Sequence, residues 1–335
     1  MKRRHTLCLL VSLTTFSNTS LFAQEKVFTD PSKVDDPDFK IQGEYLGEAD
    51  GMQWGVQVIA LGAGKFNFVA YLGGLPGAGW SGDKNQRMKG TGEKAPKGKV
   101  ILKSSGNSGS RGLISGGKLE LFAKDAEKPF GTLKRLVRES ETLGKKPPTQ
   151  ATVLFDGSNA DAWTGKNDNP LDGDLLVQGV SSKETYQDFQ MHLEFRTPYK
   201  PTARGQGRGN SGFYAQGRYE VQILDSFGLE GADNECGGVY SVGSPKVNMC
   251  FPPLSWQTYD VDFKAARYDA EGKKTKDAIM TVRHNGVVIH QDLVADHSTT
   301  ASPLKEGPEP GPINLQDHGN PVRFRNIWVT TPTKK

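Results

Sequence analysis

No stretch of this chain sustains the 3.6-residue apolar period of an amphipathic helix. Its apolar residues come instead in short runs that alternate with polar ones, as in MQWGVQVIALG (52–62), KFNFVAYLGG (65–74) and RYEVQILDS (218–226). A period of two sends successive side chains to opposite faces of a strand. Forty glycines and nineteen prolines interrupt the runs, supplying chain reversals where a helix would need continuity. The sequence therefore predicts an all-β protein of many short antiparallel strands. With 335 residues it can bury one large core or two ordinary ones.

Two halves are expected. From residue 40 to 139 strand candidates follow one another through Gly-rich turns such as GAGK, GGLPGAGWSGDKN and SGGK, the pattern of an antiparallel meander closing as a small barrel or sandwich. This half offers no nucleophile, carboxylate pair or metal-ligand cluster, so it reads as a structural or glycan-facing accessory unit. The stretch ESETLGKKPPTQATVLFDG then changes character. Pro147 and Pro148 lack backbone donors, and a strand ladder is not expected to run through them. The boundaries read as an accessory β domain over 25–143, a linker over 144–151 and a larger β-sandwich over 152–330. Within the last, Asn285-Gly286 marks a tight hairpin, because both residues tolerate positive φ.

The N-terminus, MKRRHTLCLLVSLTTFSNTSLFAQEK, places three cationic residues before an apolar run too short and too polar to span a bilayer. Residues 1–23 read as a signal peptide cleaved after Ala23, which predicts a periplasmic or extracellular protein with no membrane span in its mature form. Without Lys2, Arg3 and Arg4 the chain carries 39 basic residues against 38 acidic ones. Its scattered lysines exclude a nucleic-acid footprint. Two cysteines remain, Cys236 and Cys250. In an oxidising compartment a disulfide between them is favoured over two independent thiols and would constrain the loop by ~3 kcal/mol. No Cys/His spacing points to zinc, and neither a metal nor another cofactor is expected.

The stretch GNSGFYAQGRYEVQILDSFG (209–228) carries the most chemistry. Tyr219, Val221 and Ile223 share one face of a strand, and Arg218, Glu220 and Gln222 the other. A solvated outer face would account for such a strand by itself. The preceding strand is joined through the short Gln216-Gly217 connection and brings Asn210 and Tyr214 alongside. Planar hydrogen-bonding groups beside an aromatic ring suit a sugar, which presents hydroxyl edges and a C–H face.

Together with FDGSNADAW, GGVYSVGSPKVN, the Trp256 segment ending in TYDVDF, HNGVVIH and INLQDHGNPVRFRNIWV, this stretch resembles the 3-keto-disaccharide hydrolase domain family over about residues 152–330. The resemblance implies a concanavalin A-like jelly-roll β-sandwich, found chiefly in secreted bacterial proteins. It also implies cleavage of a glycoside or oligosaccharide first oxidised to its 3-keto sugar, the oxidised substrate being supplied by an oxidoreductase. β-Glucanases of that fold carry three carboxylates on one strand face, E-I-D-I-E; the equivalent positions here are Glu220, Gln222 and Leu224. The missing carboxylates point away from ordinary glycoside hydrolysis. They favour removal of an acidic C2 proton, elimination at C1 and later hydration.

Glu220 is accordingly the candidate base, with a sugar-hydroxyl acceptor as its competing role. Arg218 is the candidate oxyanion partner, competing with a side chain that simply reaches solvent. His318 is a candidate acid or base that equally fits the turn Asp317–Asn320. Asn210, Tyr214, Gln222, Tyr240, Asn248, Gln316 and Arg325 are candidate substrate contacts. Two other functions remain open. A non-catalytic lectin would need the amides and the ring but no base. A conventional endoglycosidase would need a second carboxylate roughly 5–9.5 Å from Glu220, for which the sequence offers Asp225, Asp317 and Asp262.

Overall fold

A computed structural model describes residues 26–106, 109–165 and 169–332; the expected signal peptide lies outside the described residues. Among the described residues, apart from short 3-10 turns, the regular elements are all strands. Among the described residues no helix is long and apolar enough to cross a membrane.

The first half is a closed barrel of eight antiparallel strands in chain order, from Gly43–Ala49 to Gly131–Leu136. Closure comes from the first and last strands, which pair from Glu44 with Leu136 to Ala49 with Gly131. Alternation sets its inside: Phe66, Phe68 and Ala70 join Tyr45, Val58 and Leu102 in the interior, while Lys65 and Asn67 on the same strand are exposed. The barrel is therefore packed with side chains rather than hollow. One glycine makes this packing possible, since a Cβ at Gly90 would lie 2.4 Å from the Phe68 ring.

The second half has two antiparallel sheets. The smaller runs Trp163–Gly165, Val180–Tyr186, Gly311–Leu315, Ser211–Ala215, Tyr219–Ile223. The larger has eight strands, with Phe189–Arg196 and Gln257–Lys264 at its centre. One apolar core joins them, taking Phe213, Val221, Ile223 and Leu315 from the smaller sheet and Leu193, Phe195, Val261 and Phe263 from the larger. Across it the rings of Tyr219 and Phe263 are 5.5 Å apart, and the Tyr259 hydroxyl donates to the Gln222 carbonyl at 2.6 Å. The expected hairpin tip is present, with positive φ at Asn285 and Gly286.

The segment that joins the halves carries no strand pairing through Pro147 and Pro148, yet its first part is hydrogen-bonded to the larger sheet. Ser140 and Thr142 bond the Thr258 hydroxyl at 2.6 and 2.7 Å. Gly144 N–H donates to Glu194 at 2.6 Å, and Lys145 to Asp260 at 2.8 Å. Arg138 forks the buried Glu44 carboxylate with two 2.6 Å bonds and lies over the Phe251 ring. Tyr199 and Leu254, which belong to the second half, pack in the barrel's core cluster.

Candidate active site

The outer face of the smaller sheet carries a row of polar residues set by strand register. Glu220 pairs with Tyr214, Tyr214 with Asn314 and Asn314 with Ser181, while Gln222 pairs with Gly212 in the next row. Val221, Phe213 and Leu315 alternate with them into the core, so the core fixes which way Glu220 points. Nearby segments shelter this face. Thr299 Oγ1 accepts the Glu220 N–H at 2.9 Å, and the Tyr240 N–H reaches the Glu220 carbonyl at 3.3 Å.

The floor of the site is deeply buried: Glu220 is 3% exposed, Tyr214 0%, and Asn210 and Gln222 each 2%. Gln206, Tyr240, Asn314 and Gln316 form a half-buried rim. Burial raises the Glu220 pKa to about 7, against the smaller downward pull of a hydrogen bond from the Tyr214 phenol. Burial likewise holds the Tyr214 phenol far above its ordinary pKa, so it stays protonated and donates. Gln316 Nε2 donates to the Tyr214 oxygen at 3.0 Å, completing a chain from Gln316 through Tyr214 to the carboxyl. Opposite, Gln206 Oε1 accepts from Asn210 Nδ2 at 2.8 Å and from Gln222 Nε2 at 3.3 Å. Asn210 Oδ1 and Gln316 Oε1 are buried without a partner. Two acceptors left open beside a carboxyl near its titration point are what sugar hydroxyls would satisfy.

Six of the sequence candidates thus meet: Asn210, Tyr214, Glu220, Gln222, Tyr240 and Gln316. Arg218 is placed differently from its expected role. Its guanidinium donates to the carbonyls of Lys305 and Glu309 at 2.7 and 2.8 Å and to Gln216 at 3.2 Å, clamping the loop between the strands Val287–Ala295 and Gly311–Leu315. His318 stands in the exposed turn after Gln316, where its carbonyl accepts from Asn320. Asn248 braces the 226–229 loop through the carbonyls of Ser226 and Leu229. Arg325 lies on the larger sheet, bonded to Glu194 at 2.7 Å and stacked over Trp256.

The expected staple is not formed in the structure. Cys236 and Cys250 are buried free thiols that lie side by side and hydrogen-bond each other; Cys236 also meets the Tyr259 hydroxyl at 3.2 Å, and Cys250 the Leu224 carbonyl at 3.4 Å. The carboxylates an endoglycosidase would draw on are committed elsewhere. Asp225 pairs with Arg208 at 2.6 Å, Asp262 with Arg283 at 2.9 Å, and Asp317 caps its own turn. Among the described residues no cluster of three or more His, Cys, Asp or Glu side chains is placed to hold a metal. Gln206 and Thr299 were missed by sequence reasoning; the only signal for Gln206 is its setting between glycines in RGQGRGN.

The profile of the 3-keto-alpha-glucoside-1,2-lyase-like domain family matches residues 150–330, which include every residue of the site and none of the barrel. The chain belongs to this family. Three solved structures from Parabacteroides distasonis, each of a "putative glycosyl hydrolase", are similar to about half of the chain. One is 31% identical, covering 55% of this chain and 85% of the other with a TM-score of 0.51. The second is 21% identical over 54% of this chain and 93% of the other, TM-score 0.40. The third is 21% identical over 54% and 99%, TM-score 0.39. No curated protein matches the chain.

Proposed function

We propose that the protein is an exported glycoside-cleaving enzyme that acts on 3-keto glycosides at the Glu220 site, on a concanavalin A-like jelly-roll scaffold. The observation that carries the reading is the Glu220 carboxyl, buried, raised to about 7 and influenced by burial and Tyr214 rather than by a cation. A carboxyl with that pKa is divided between its base and acid forms near neutral pH, which suits proton abstraction from carbon.

The Glu220 carboxylate removes the C2 proton, which the neighbouring C3 ketone acidifies, and the electron pair moves into an enolate. The enolate collapses to the C3 ketone as the C1–O bond breaks, leaving a C1=C2 double bond conjugated with it and an alkoxide that takes the proton back from Glu220 to leave as the alcohol. Water adding across C1=C2 then yields the free 3-keto sugar, so net hydrolysis needs no second carboxylate. Tyr214, held protonated and oriented by Gln316, donates to the carboxyl and fixes its position. The open acceptors Asn210 Oδ1 and Gln316 Oε1 hold hydroxyls. The family's description as a 1,2-lyase-like domain supports elimination across these two carbons.

The test is turnover of a 3-keto glucoside by the mature protein and by Glu220→Gln, with thermal unfolding as control. A loss on the order of 10²- to 10⁴-fold in a folded variant is expected. Near-normal turnover would move the base elsewhere. Sugar binding with no turnover even in the wild type would make the protein a lectin.

A further inference from the structure

Where the barrel meets the second half, its outer wall has a composition that barrel packing does not require. Ile59, Asn67 and Thr91 stand abreast on three neighbouring strands, with Val69 and Lys89 in the next row. These side chains point outward, since Phe66 and Phe68 alternate with Asn67 and Val69 into the core. Ile59 and Val69 are nevertheless 8% and 4% exposed. Arg204, Phe227, Leu229 and Glu230 cover them from the other half and enclose a cavity of about 460 Å³. Its walls are tied together. Arg204 Nη2 donates to Leu61 O at 2.9 Å, Arg208 Nη1 to Ala60 O at 3.2 Å, and Arg87 and Lys89 both pair with Glu230.

The wall facing the barrel is also the wall of the candidate active site. Arg204, Gly205 and Arg208 line the cavity, while Gln206, between them, bonds Asn210 and Gln222 on the floor beside Glu220. The saddle between the two spaces is the exposed turn Gly205–Gly207. Above it lies open space, since a Cβ at Gly205 or Gly207 would meet no atom within 4 Å.

We propose that this cleft is a carbohydrate subsite that receives the part of a glycoside beyond the sugar at Glu220, with Asn67 and Thr91 as contacts contributed by the barrel. The placement of the ligand's other end rests on the proposed function; the cleft's preference for sugar does not. Its lining sets an exposed amide and hydroxyl beside the apolar faces of Ile59, Val69, Phe227 and Leu229, matching the hydroxyl rim and C–H face of a pyranose. Its volume lies within the ~300–1,000 Å³ of small-molecule sites, which favour seams between structural units. The barrel thereby acquires a task, extending the range of aglycones or longer chains that the second half can hold.

The test uses unoxidised sugars, which the proposed chemistry leaves intact. Glucose, maltotriose, cellotriose and laminaritriose are titrated calorimetrically into the full mature chain and into the double variant Asn67→Ala/Thr91→Ala, whose exposed positions leave folding unaffected. At least one trisaccharide is expected to bind ~10-fold or more tighter than glucose, and the double variant to lose about that factor for the trisaccharide alone. Trisaccharide binding no tighter than glucose, or unchanged in the double variant, overturns the subsite. If 3-keto glucosides are not turned over but the calorimetric contrast holds, the enzyme reading fails and the cleft stands.

Discussion

The Glu220 carboxylate occupies the space that a side chain at position 212 would fill: a Cβ at Gly212 would lie 2.2 Å from Glu220 Oε1 and 2.9 Å from its carboxyl carbon. Gly212 and Gln222 face each other across the same strand pair, so the glycine opens a slot into which the carboxyl leans. Gly212→Ala is expected to push the carboxyl off Tyr214, costing about 1–3 kcal/mol of stability by overpacking and turnover on the order of 10²-fold. Thermal unfolding and 3-keto glucoside cleavage measure the two effects. Wild-type turnover in this variant would mean that the carboxyl need not rest over Gly212.

The raised pKa of Glu220 gives two pH signatures of defined sign. As a base it must be ionised, so kcat/KM for a 3-keto glucoside is expected to rise about tenfold per pH unit below about pH 7 and level off above it. For stability, a folded-state pKa near 7 against an ordinary 4.5 means the folded protein holds a proton that the unfolded chain has lost. Stability therefore falls as pH rises from about 4.5 through about 7. Glu220→Gln removes this cost, so the variant should gain on the wild type in thermal unfolding at pH 8 but not at pH 5. A constant difference at both pH values would contradict the buried, titrating carboxyl.

Much of this site is legible in the sequence because strand alternation is local. Once Val221 and Ile223 are assigned to the core, Glu220 and Gln222 must face away, and the short Gln216-Gly217 connection places Tyr214 opposite Glu220. What the pattern does not carry is the fate of side chains whose partners come from far along the chain. Arg218 is decided by carbonyls of Lys305 and Glu309, and Arg325 by Glu194, its cross-strand neighbour on the larger sheet, and by Trp256. Barrel closure likewise depends on pairing Glu44 with Leu136, a contact that no single window contains. Gln206 enters the site from an irregular, glycine-flanked turn with no period to reveal it.

On the larger sheet, His192 is fully buried, with Nδ1 3.0 Å from Asp260 and Nε2 3.6 Å from Glu194, and its ring stacked on Trp328. Burial pulls its pKa down, but the hydrogen bonds and charges of the two carboxylates outweigh that and leave it raised. Lys145 on Asp260 and Arg325 on Glu194 complete the charged surroundings. The stability this imidazolium contributes is present below its ordinary pKa of 6.5 and is lost as pH rises through the higher folded value. His192→Gln should flatten the fall in thermal stability above pH 6.5. An unchanged alkaline slope would assign that slope to other groups.

The same carboxylates make the joining segment more than a tether. Thr142 Oγ1 donates to Asp260 at 2.7 Å, Lys145 donates to it at 2.8 Å, and the Gly144 N–H donates to Glu194, which is 1% exposed, at 2.6 Å. A chain starting at residue 150 lacks all three donors and leaves Asp260 and Glu194 partly unsatisfied inside the fold. It also exposes Phe251, over which Arg138 lies, and Tyr199, which packs in the barrel's core cluster. Each lost bond to a buried carboxylate costs about 1–3 kcal/mol, against a total stability of ~5–15 kcal/mol for a typical domain. A 138–335 fragment is therefore expected to unfold cooperatively at a higher temperature than a 150–335 fragment, although the two differ by only a segment without strand pairing. In the full chain, Thr142→Val should lower the unfolding temperature and leave cleavage at the distant Glu220 site unchanged. Equal melting of the two fragments would show that the proline seam is a true boundary and that the hydrogen bonds at residues 140–145 are dispensable.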